Sequence, residues 1–432
     1  MNIENTPLHQ FLQDNKLLAE QLDTQALLNA FIDEMQKGLN AEPSSLAMLA
    51  SHIGIDKDIS ANKPVIVLDA GGTNLRVCTV VFNDAGVASV ENFSAYMMPG
   101  IDQELSADQF YDLICDYLEP VITLSDTISF CFSYPTEISE NQDGKLLYWT
   151  KEVKVPEVVG EYVGAGLLAA LAKRGHTDKK ITLLNDTVAT LLAGKAYGEQ
   201  RQCDGYVGLI LGTGTNTAYV ESNSNIGKLA VDSGAQIINI ESGNFDQLPL
   251  GQIDTLHDQT TSNPGQYLLE KMISGRYLGP TASIAFRQAA QAELFSADAR
   301  AIVEAAPEFN SAQLSQLLAN PFEFNQTVFD GQLSETDLNV LLHIATALRD
   351  RAAKITAINV AATALKMGCG KNPLHPVCIN ADGSTYFKLT GFQNTCEAYL
   401  DDILSAQGVH FVVINTDNAP TIGTAIAGVI RS

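Results

Sequence analysis

The sequence predicts an α/β protein made of two duplicated lobes with a cleft between them, and three observations carry that expectation. A strand–glycine turn–strand unit occurs twice: the triplet Gly72-Thr73-Asn74 returns as Gly214-Thr215-Asn216, 142 residues on, each time after an apolar strand run. Helical and strand patterns alternate after the first unit, which implies a mixed, mostly parallel sheet with helical cover. The 432 residues, 46% of them hydrophobic, suffice for two or three domains with sizeable cores.

Taken in order, residues 8–49 read as helix with a break near Pro43. Leu27, Leu28, Phe31, Ile32, Met35 and Leu39 recur at helical spacing on one face, and Thr24 is placed to cap the start. The opposite face is acidic, so the stripe reads as core packing rather than as a membrane or partner helix. Residues 56–63 are a polar linker. Residues 65–68 and 75–82 form the first hairpin, and strands continue to Met98 with a turn at Gly86. Helix over 107–118, strand over 127–133, helix over 162–173 and strand over 181–185 follow. A second strand meander starts at Val207, then a long helical region runs over 266–365, of which 284–338 carries no readable motif. Residues 377–381 and 411–415 are late strands, and 422–430 a closing helix.

Composition removes several function classes. No apolar run approaches the roughly 18 residues that a membrane span needs. The first 14 residues lack the basic end and apolar centre of a signal peptide, so a soluble cytoplasmic protein is expected. Seven scattered cysteines with no Cys-x-x-Cys argue for a reducing compartment and against disulfides or a zinc site. A net charge of −24 makes nucleic acid an unsuitable partner, because phosphate backbones need basic surface.

The chemistry begins at the first turn. Glycines there let backbone N–H groups face outward with no Cβ in the way, which suits a phosphate, and Asp69 at the strand end suits the hydration shell of Mg²⁺. Gly-Gly-Thr-Asn alone would be an ordinary hairpin turn. Its second copy, with Leu211 in the place of Asp69, argues instead for a nucleotide gripped from both sides. Asn185-Asp186 ends a buried strand, where open α/β sheets bind ligands. Asp186 has two readings: a helix N-cap, or a general base taking the proton of an alcohol acceptor. Ser133, Tyr148-Trp149-Thr150-Lys151, Asn239 to Glu241, and Asn263 to Gln266 with Glu270 supply hydroxyls, amides and carboxylates of the kind that clamp a polyol.

Several of these segments, in this order, resemble the hexokinase family of the eukaryotic type, which also occurs in bacteria. The likeness covers nearly the whole chain. Glu34-Met35-Gln36-Lys37-Gly38-Leu39 is similar to the family's N-terminal helix, and Leu68-Asp69-Ala70-Gly71-Gly72-Thr73-Asn74-Leu75-Arg76-Val77 to its first phosphate motif. Phe132-Ser133-Tyr134-Pro135, Trp149-Thr150-Lys151, Asn185-Asp186-Thr187-Val188 and Leu211-Gly212-Thr213-Gly214-Thr215-Asn216 resemble its sugar, catalytic and second phosphate segments. Asn263-Pro264-Gly265 through Gly275 matches a further stretch. Lys151 is followed by Glu152-Val153, where the family usually has Gly-Phe.

The resemblance implies an actin-like ATPase fold, related to ribonuclease H, with a small lobe at 64–186 plus 419–432 and a large lobe at 1–63 plus 187–418. It implies an ATP-dependent hexokinase that phosphorylates the 6-hydroxyl of a hexose, glucose foremost and mannose or fructose as alternatives. Asp186 would be the base, with Lys151 and Arg76 assisting. Ser133, Thr150, Lys151, Asn185, Asn216, Glu241 and Glu270 would hold sugar hydroxyls. Gly71, Gly72, Thr73, Asn74, Arg76, Gly212, Thr213 and Gly214 would hold ATP phosphates, with Gly275, Arg276, Gly383 and Ser384 near the adenosine. Asp69 would act on Mg²⁺ through water. The expected partner is a small hexose, with no nucleic acid or membrane, in a monomer or homodimer. A catalytically weak hexose sensor on the same fold is the competing reading.

Overall fold

Near-continuous apolar runs seed two sheets. The structure, a computed structural model, describes residues 4–54, 61–149, 152–199, 201–231 and 233–431. Its strands are β1 (Leu49–Ala50), β2 (Val65–Ala70), β3 (Asn74–Phe82), β4 (Ala88–Met97), β5 (Thr127–Phe132), β6 (Thr136–Ile138), β7 (Gly144–Leu146) and β8 (Lys180–Leu184), then β9 (Gly205–Leu211), β10 (Thr215–Ser222), β11 (Ala235–Asn239), β12 (Val377–Asp382) and β13 (Phe411–Ile414). β6 and β7 make a small ribbon, and the others form sheets ordered β4-β3-β2-β5-β8 and β1-β11-β10-β9-β12-β13.

Counted by each sheet's own chain order, both read 3-2-1-4-5, with β1 an added edge on the second. β2 lies antiparallel to β3 and parallel to β5, which is parallel to β8. β9 repeats the pattern with β10, β12 and β13. The duplication visible as a triplet is therefore a duplication of a whole sheet. Every residue of β2 is buried, as a central strand covered on both faces must be.

Three cores fix the sheets. One packs Ile66, Leu68, Phe130 and Phe132 against the helices Ala107–Leu118 and Val163–Lys173. Another packs Leu209, Leu211 and Ile238 against the N-terminal helices and the helix Glu335–Met367. The third lies between the sheets, where Val65, Val67, Tyr206 and Cys378 meet the helices Asp186–Glu199 and Ala419–Arg431. Those two helices touch backbone to backbone at Gly423, where a Cβ would stand 1.7 Å from the Ala189 carbonyl oxygen. Buried Arg351 grips Asp254 with two hydrogen bonds (2.9 and 2.7 Å) and also donates to the Lys16 carbonyl, which ties the N-terminal segment to the long helix.

The N-terminal region differs from the expectation of one helical stretch broken near Pro43. The helices are Pro7–Asp14 and Thr24–Leu39, and the second ends before Pro43. Asp23, not Thr24, caps it by accepting from the Ala26 N–H, a job that a carboxylate does as well as a hydroxyl. The segment beyond folds back instead, because Glu34 accepts hydrogen bonds from Ser44 and Ser45. The linker expected over 56–63 lies outside the described residues except for its last three. Residues 284–338, unreadable in sequence, build a helical annex around Phe286, Phe309, Phe324 and Phe329, whose rings pack edge to face. Among the described residues no helix is long and apolar enough to cross a membrane.

Candidate active site

The two glycine turns and the carboxyl ends of the parallel strands face one cleft. At the β2–β3 turn Gly71, Thr73, Asn74 and Arg76 are exposed while Asp69 is buried. Gly72 sits at φ 139° and its carbonyl accepts from the Tyr134 hydroxyl (3.1 Å), while the Gly71 N–H donates across the turn to the Asn74 carbonyl (3.3 Å); together these fix the turn. Arg76 pairs with Asp69 at 2.9 Å across the register of the hairpin. Burial pushes the Asp69 carboxyl above the usual carboxylate range; Arg76 opposes that and the charge of Asp186 adds to it. Ser133 follows β5 and its N–H donates to the Ala70 carbonyl, so it stands beside this turn.

The β9–β10 turn is held from behind. The Gly212 carbonyl accepts from the Gly275 N–H (2.8 Å) and from the Thr385 hydroxyl (2.7 Å). The Thr213 carbonyl accepts from the Arg276 N–H at 3.2 Å. Gly383, at φ 119°, brings the end of β12 onto the same turn, and Ser384 opens the next helix, exposed. The structure thus gathers Gly212, Thr213, Gly214, Gly275, Arg276, Gly383 and Ser384 at one place.

Beside this lies a small pocket with a largely apolar lining, Leu49, Phe132, Ile138 and Val188, into which Tyr134, Asn185, Asn239 and Glu241 bring polar groups. Asn216 and Asn239 both donate to the Glu241 carboxylate, at 3.3 and 2.8 Å. Glu241 itself holds a left-handed backbone, φ 58°, a strained conformation for a non-glycine residue of the kind that collects at functional sites. Glu270 accepts from the Thr215 N–H at 3.0 Å, so it stands against the second turn. Thr150 and Lys151 lie outside the described residues. Glu152, where the resemblance expects glycine, keeps a left-handed φ of 67°.

Asp186 follows the buried end of β8. Its expected capping role belongs to Asn185, whose side chain accepts from the Thr187 N–H at 2.8 Å. Asp186 is the first helical residue and its carboxylate accepts from the Thr187 hydroxyl (3.2 Å). The local cap is therefore supplied by a neighbour, and the general-base reading no longer competes with it. Burial first, and the charge of Asp186 in addition, raise the carboxyls of Asp69, Glu241 and Asp382; with Glu270, which also acts on Glu241, five acids share this cleft. Asp382 was not singled out in sequence. It ends β12 directly before Gly383, and Asp-Gly after an apolar run reads equally as a plain turn.

Burial pushes the Glu241 carboxyl above the usual carboxylate range; the Asn239 amide opposes this, while Asp186 and Glu270 add to it. A carboxyl whose folded pKa lies above its unfolded one is charged at the expense of folding, and that expense appears as pH rises through the folded pKa. Glu241→Gln is therefore expected to raise Tm at pH 7–8, with the two proteins converging as pH falls toward about 4. Thermal unfolding across that range checks it, and a variant less stable than wild type at neutral pH would contradict the assignment.

Two family models described as hexokinase match residues 7–196 and 206–430. Hexokinase-1 of Schizosaccharomyces pombe is 29% identical over 99% of this chain and 93% of its own length. Hexokinase-1 of Spinacia oleracea is 35% identical over 62% of this chain, a match that spans 57% of that relative. The solved structure of hexokinase from Schistosoma mansoni complexed with glucose shares the fold, with a TM-score of 0.81 over 98% of both chains at 23% identity.

Proposed function

The chain belongs to the hexokinase family of phosphotransferases, and on that premise we propose that it transfers the γ-phosphoryl group of ATP to the 6-hydroxyl of a hexose, glucose foremost, with Asp186 as general base. The observation that carries the assignment of Asp186 is its release from helix capping at the end of β8, where its charge acts on Asp69, Glu241 and Asp382. Asp186 would accept the hydroxyl proton as the phosphoryl group arrives. Ser133, Asn185, Asn216, Glu241 and Glu270, with Thr150 and Lys151, would orient the sugar. Carboxylates suit this because each can accept from two adjacent hydroxyls.

The residues present fit a nucleotide triphosphate. Gly71, Thr73 and Asn74 of the first turn are exposed, and at Gly383 a Cβ would occupy the space the second turn needs. Gly71 to Asn74, Arg76, Thr213 and Gly214 would hold phosphates, and Gly275, Arg276, Gly383 and Ser384 the adenosine side. Mg²⁺, when bound, would neutralise phosphate charge, and Asp69 would reach it through its waters. Transfer of this kind needs little covalent chemistry, so positioning and exclusion of water do most of the work. We assign residues 64–186 plus 419–432 to the small lobe and the remainder to the large one. We place the protein in a reducing, cytoplasmic setting, in keeping with seven scattered cysteines and no Cys-x-x-Cys in the sequence.

A coupled assay with ATP, Mg²⁺ and a panel of hexoses at equal concentration, against a no-sugar control, tests the reading. Hexose-dependent ADP formation led by glucose is expected. Glucose binding without turnover would replace the kinase with a hexose sensor, and a different leading sugar would correct the substrate.

A further inference from the structure

Behind Glu241 a chain of polar side chains runs through the core to the long helix Glu335–Met367. Thr217 on β10, Ser242 directly after Glu241 and Asn359 inside that helix are each fully buried. The Thr217 hydroxyl accepts from the Asn359 amide at 2.8 Å and from the Ser242 hydroxyl at 3.1 Å, so both of its lone pairs are filled. The next link is backbone: the Thr217 N–H (2.7 Å) and the Ser242 N–H (3.3 Å) both donate to the Asn216 Oδ1. That settles which way the Asn216 amide points. Its NH₂ end faces Asn239 and Glu241, to which it donates at 2.6 and 3.3 Å.

Two features of this chain are costly for the fold alone. The left-handed backbone of Glu241, φ 58° and ψ 47°, persists only where its surroundings over-determine it. Ser242 supplies that constraint: its N–H is held by Asn216, its hydroxyl by Thr217, and its carbonyl accepts from the Phe245 N–H at 3.1 Å. Asn359 is the second cost. It sits among the apolar Ile355, Ile358 and Ala362, and its Oδ1 has no partner among the described residues. A leucine has the same branched shape and would carry no such penalty, so the amide is retained at the expense of an unpaired acceptor.

We propose that Asn359, acting through Thr217 and Ser242, is a positioning residue for hexose binding: it holds the strained Glu241 backbone and the Asn216 amide in the geometry in which both meet the sugar. The proposal rests on the reading of Glu241 and Asn216 as hexose ligands. Asn359, Thr217 and Ser242 are buried away from the cleft and act only through those two residues. Their loss therefore weakens hexose binding and leaves transfer from bound substrates little changed. A hydrogen bond of ordinary strength corresponds to about a 2- to 12-fold change in an equilibrium constant.

Asn359→Leu, Thr217→Val and Thr217→Ser test this. Hexose binding is read from the fluorescence of Trp149, the single tryptophan, and turnover from ADP formation. Asn359→Leu and Thr217→Val are each expected to raise the Kd and KM for glucose several-fold, with kcat and the KM for ATP within about twofold. Thr217→Ser keeps the hydroxyl and loses only a methyl, so it should bind glucose as wild type does although its Tm falls. Because both losses run through one hydroxyl, the variant carrying Asn359→Leu and Thr217→Val together should be no worse than Thr217→Val alone. Where Thr217→Val does not fold, Ser242→Ala replaces it, with the same rise in Kd expected. A merely structural role would make glucose affinity follow Tm across the series. That pattern, unchanged glucose affinity in Asn359→Leu, or effects that add, would overturn the proposal. Wild-type protein that binds glucose but forms no ADP would sink the kinase reading alone, since binding still reads the chain; no glucose binding by wild type would sink both.

Discussion

Asp186→Asn is expected to lower kcat by roughly 10²- to 10⁴-fold while hexose affinity stays near wild type. The amide keeps the shape of the carboxylate and can still accept from the Thr187 hydroxyl, so the local hydrogen bond survives. The helix cap survives as well, because it comes from Asn185. What is lost is the basic oxygen needed to take the hydroxyl proton. Removing the charge also relieves Asp69, Glu241 and Asp382, whose carboxyls it raises. Ground-state binding should therefore be unharmed, and the deficit should appear in the chemical step. Single-turnover kinetics beside a Trp149 fluorescence titration separate the two. Turnover close to wild type would take Asp186 out of the base role, and a large loss of hexose affinity would make it chiefly a binding residue.

How much of this was legible in the sequence depends on how local the cause is. A turn that must present amides requires glycine wherever it occurs, so the two triplets announced a duplication that the sheets repeat strand for strand. The alternation of patterns gave the strands, since a covered central strand such as β2 has to be apolar throughout. Strand order was not readable, because β12 joins β9 from 166 residues further along the chain, and no periodicity encodes that pairing.

Capping shows the same boundary at finer scale. Asp23 and Thr24, or Asn185 and Asp186, are adjacent residues with similar capping chemistry, and only backbone dihedrals decide which one caps. Glu152 shows that a left-handed backbone can stand where no glycine advertises it. Asp382 was hidden by its own neighbour, for Asp-Gly is a turn signal before it is a site.

The second large effect is expected at Gly383. Replacing it with alanine should cost about 2–6 kcal/mol of stability, combining about 1–3 for a backbone conformation that is essentially reserved to glycine with about 1–3 for overpacking. Its φ of 119° and ψ of 145° lie outside what a Cβ tolerates. The new methyl would stand 2.3 Å from the Leu211 carbonyl oxygen and 2.7 Å from the Gly212 nitrogen, backbone atoms that cannot swing aside as a side chain would. Strain would be released by moving the β9–β10 turn, whose Gly212 carbonyl is already committed to Gly275 and Thr385. The KM for ATP should therefore rise about tenfold or more, well beyond any change in hexose Kd. Gly408→Ala is the control: its φ of 64° is also left-handed, but no atom lies within 4 Å of the added methyl, so it should cost only about 1 kcal/mol and leave ATP untouched. Denaturant unfolding and ATP kinetics on both variants decide the matter. If Gly383→Ala is destabilised as expected yet keeps its ATP KM, the second turn does not hold the nucleotide.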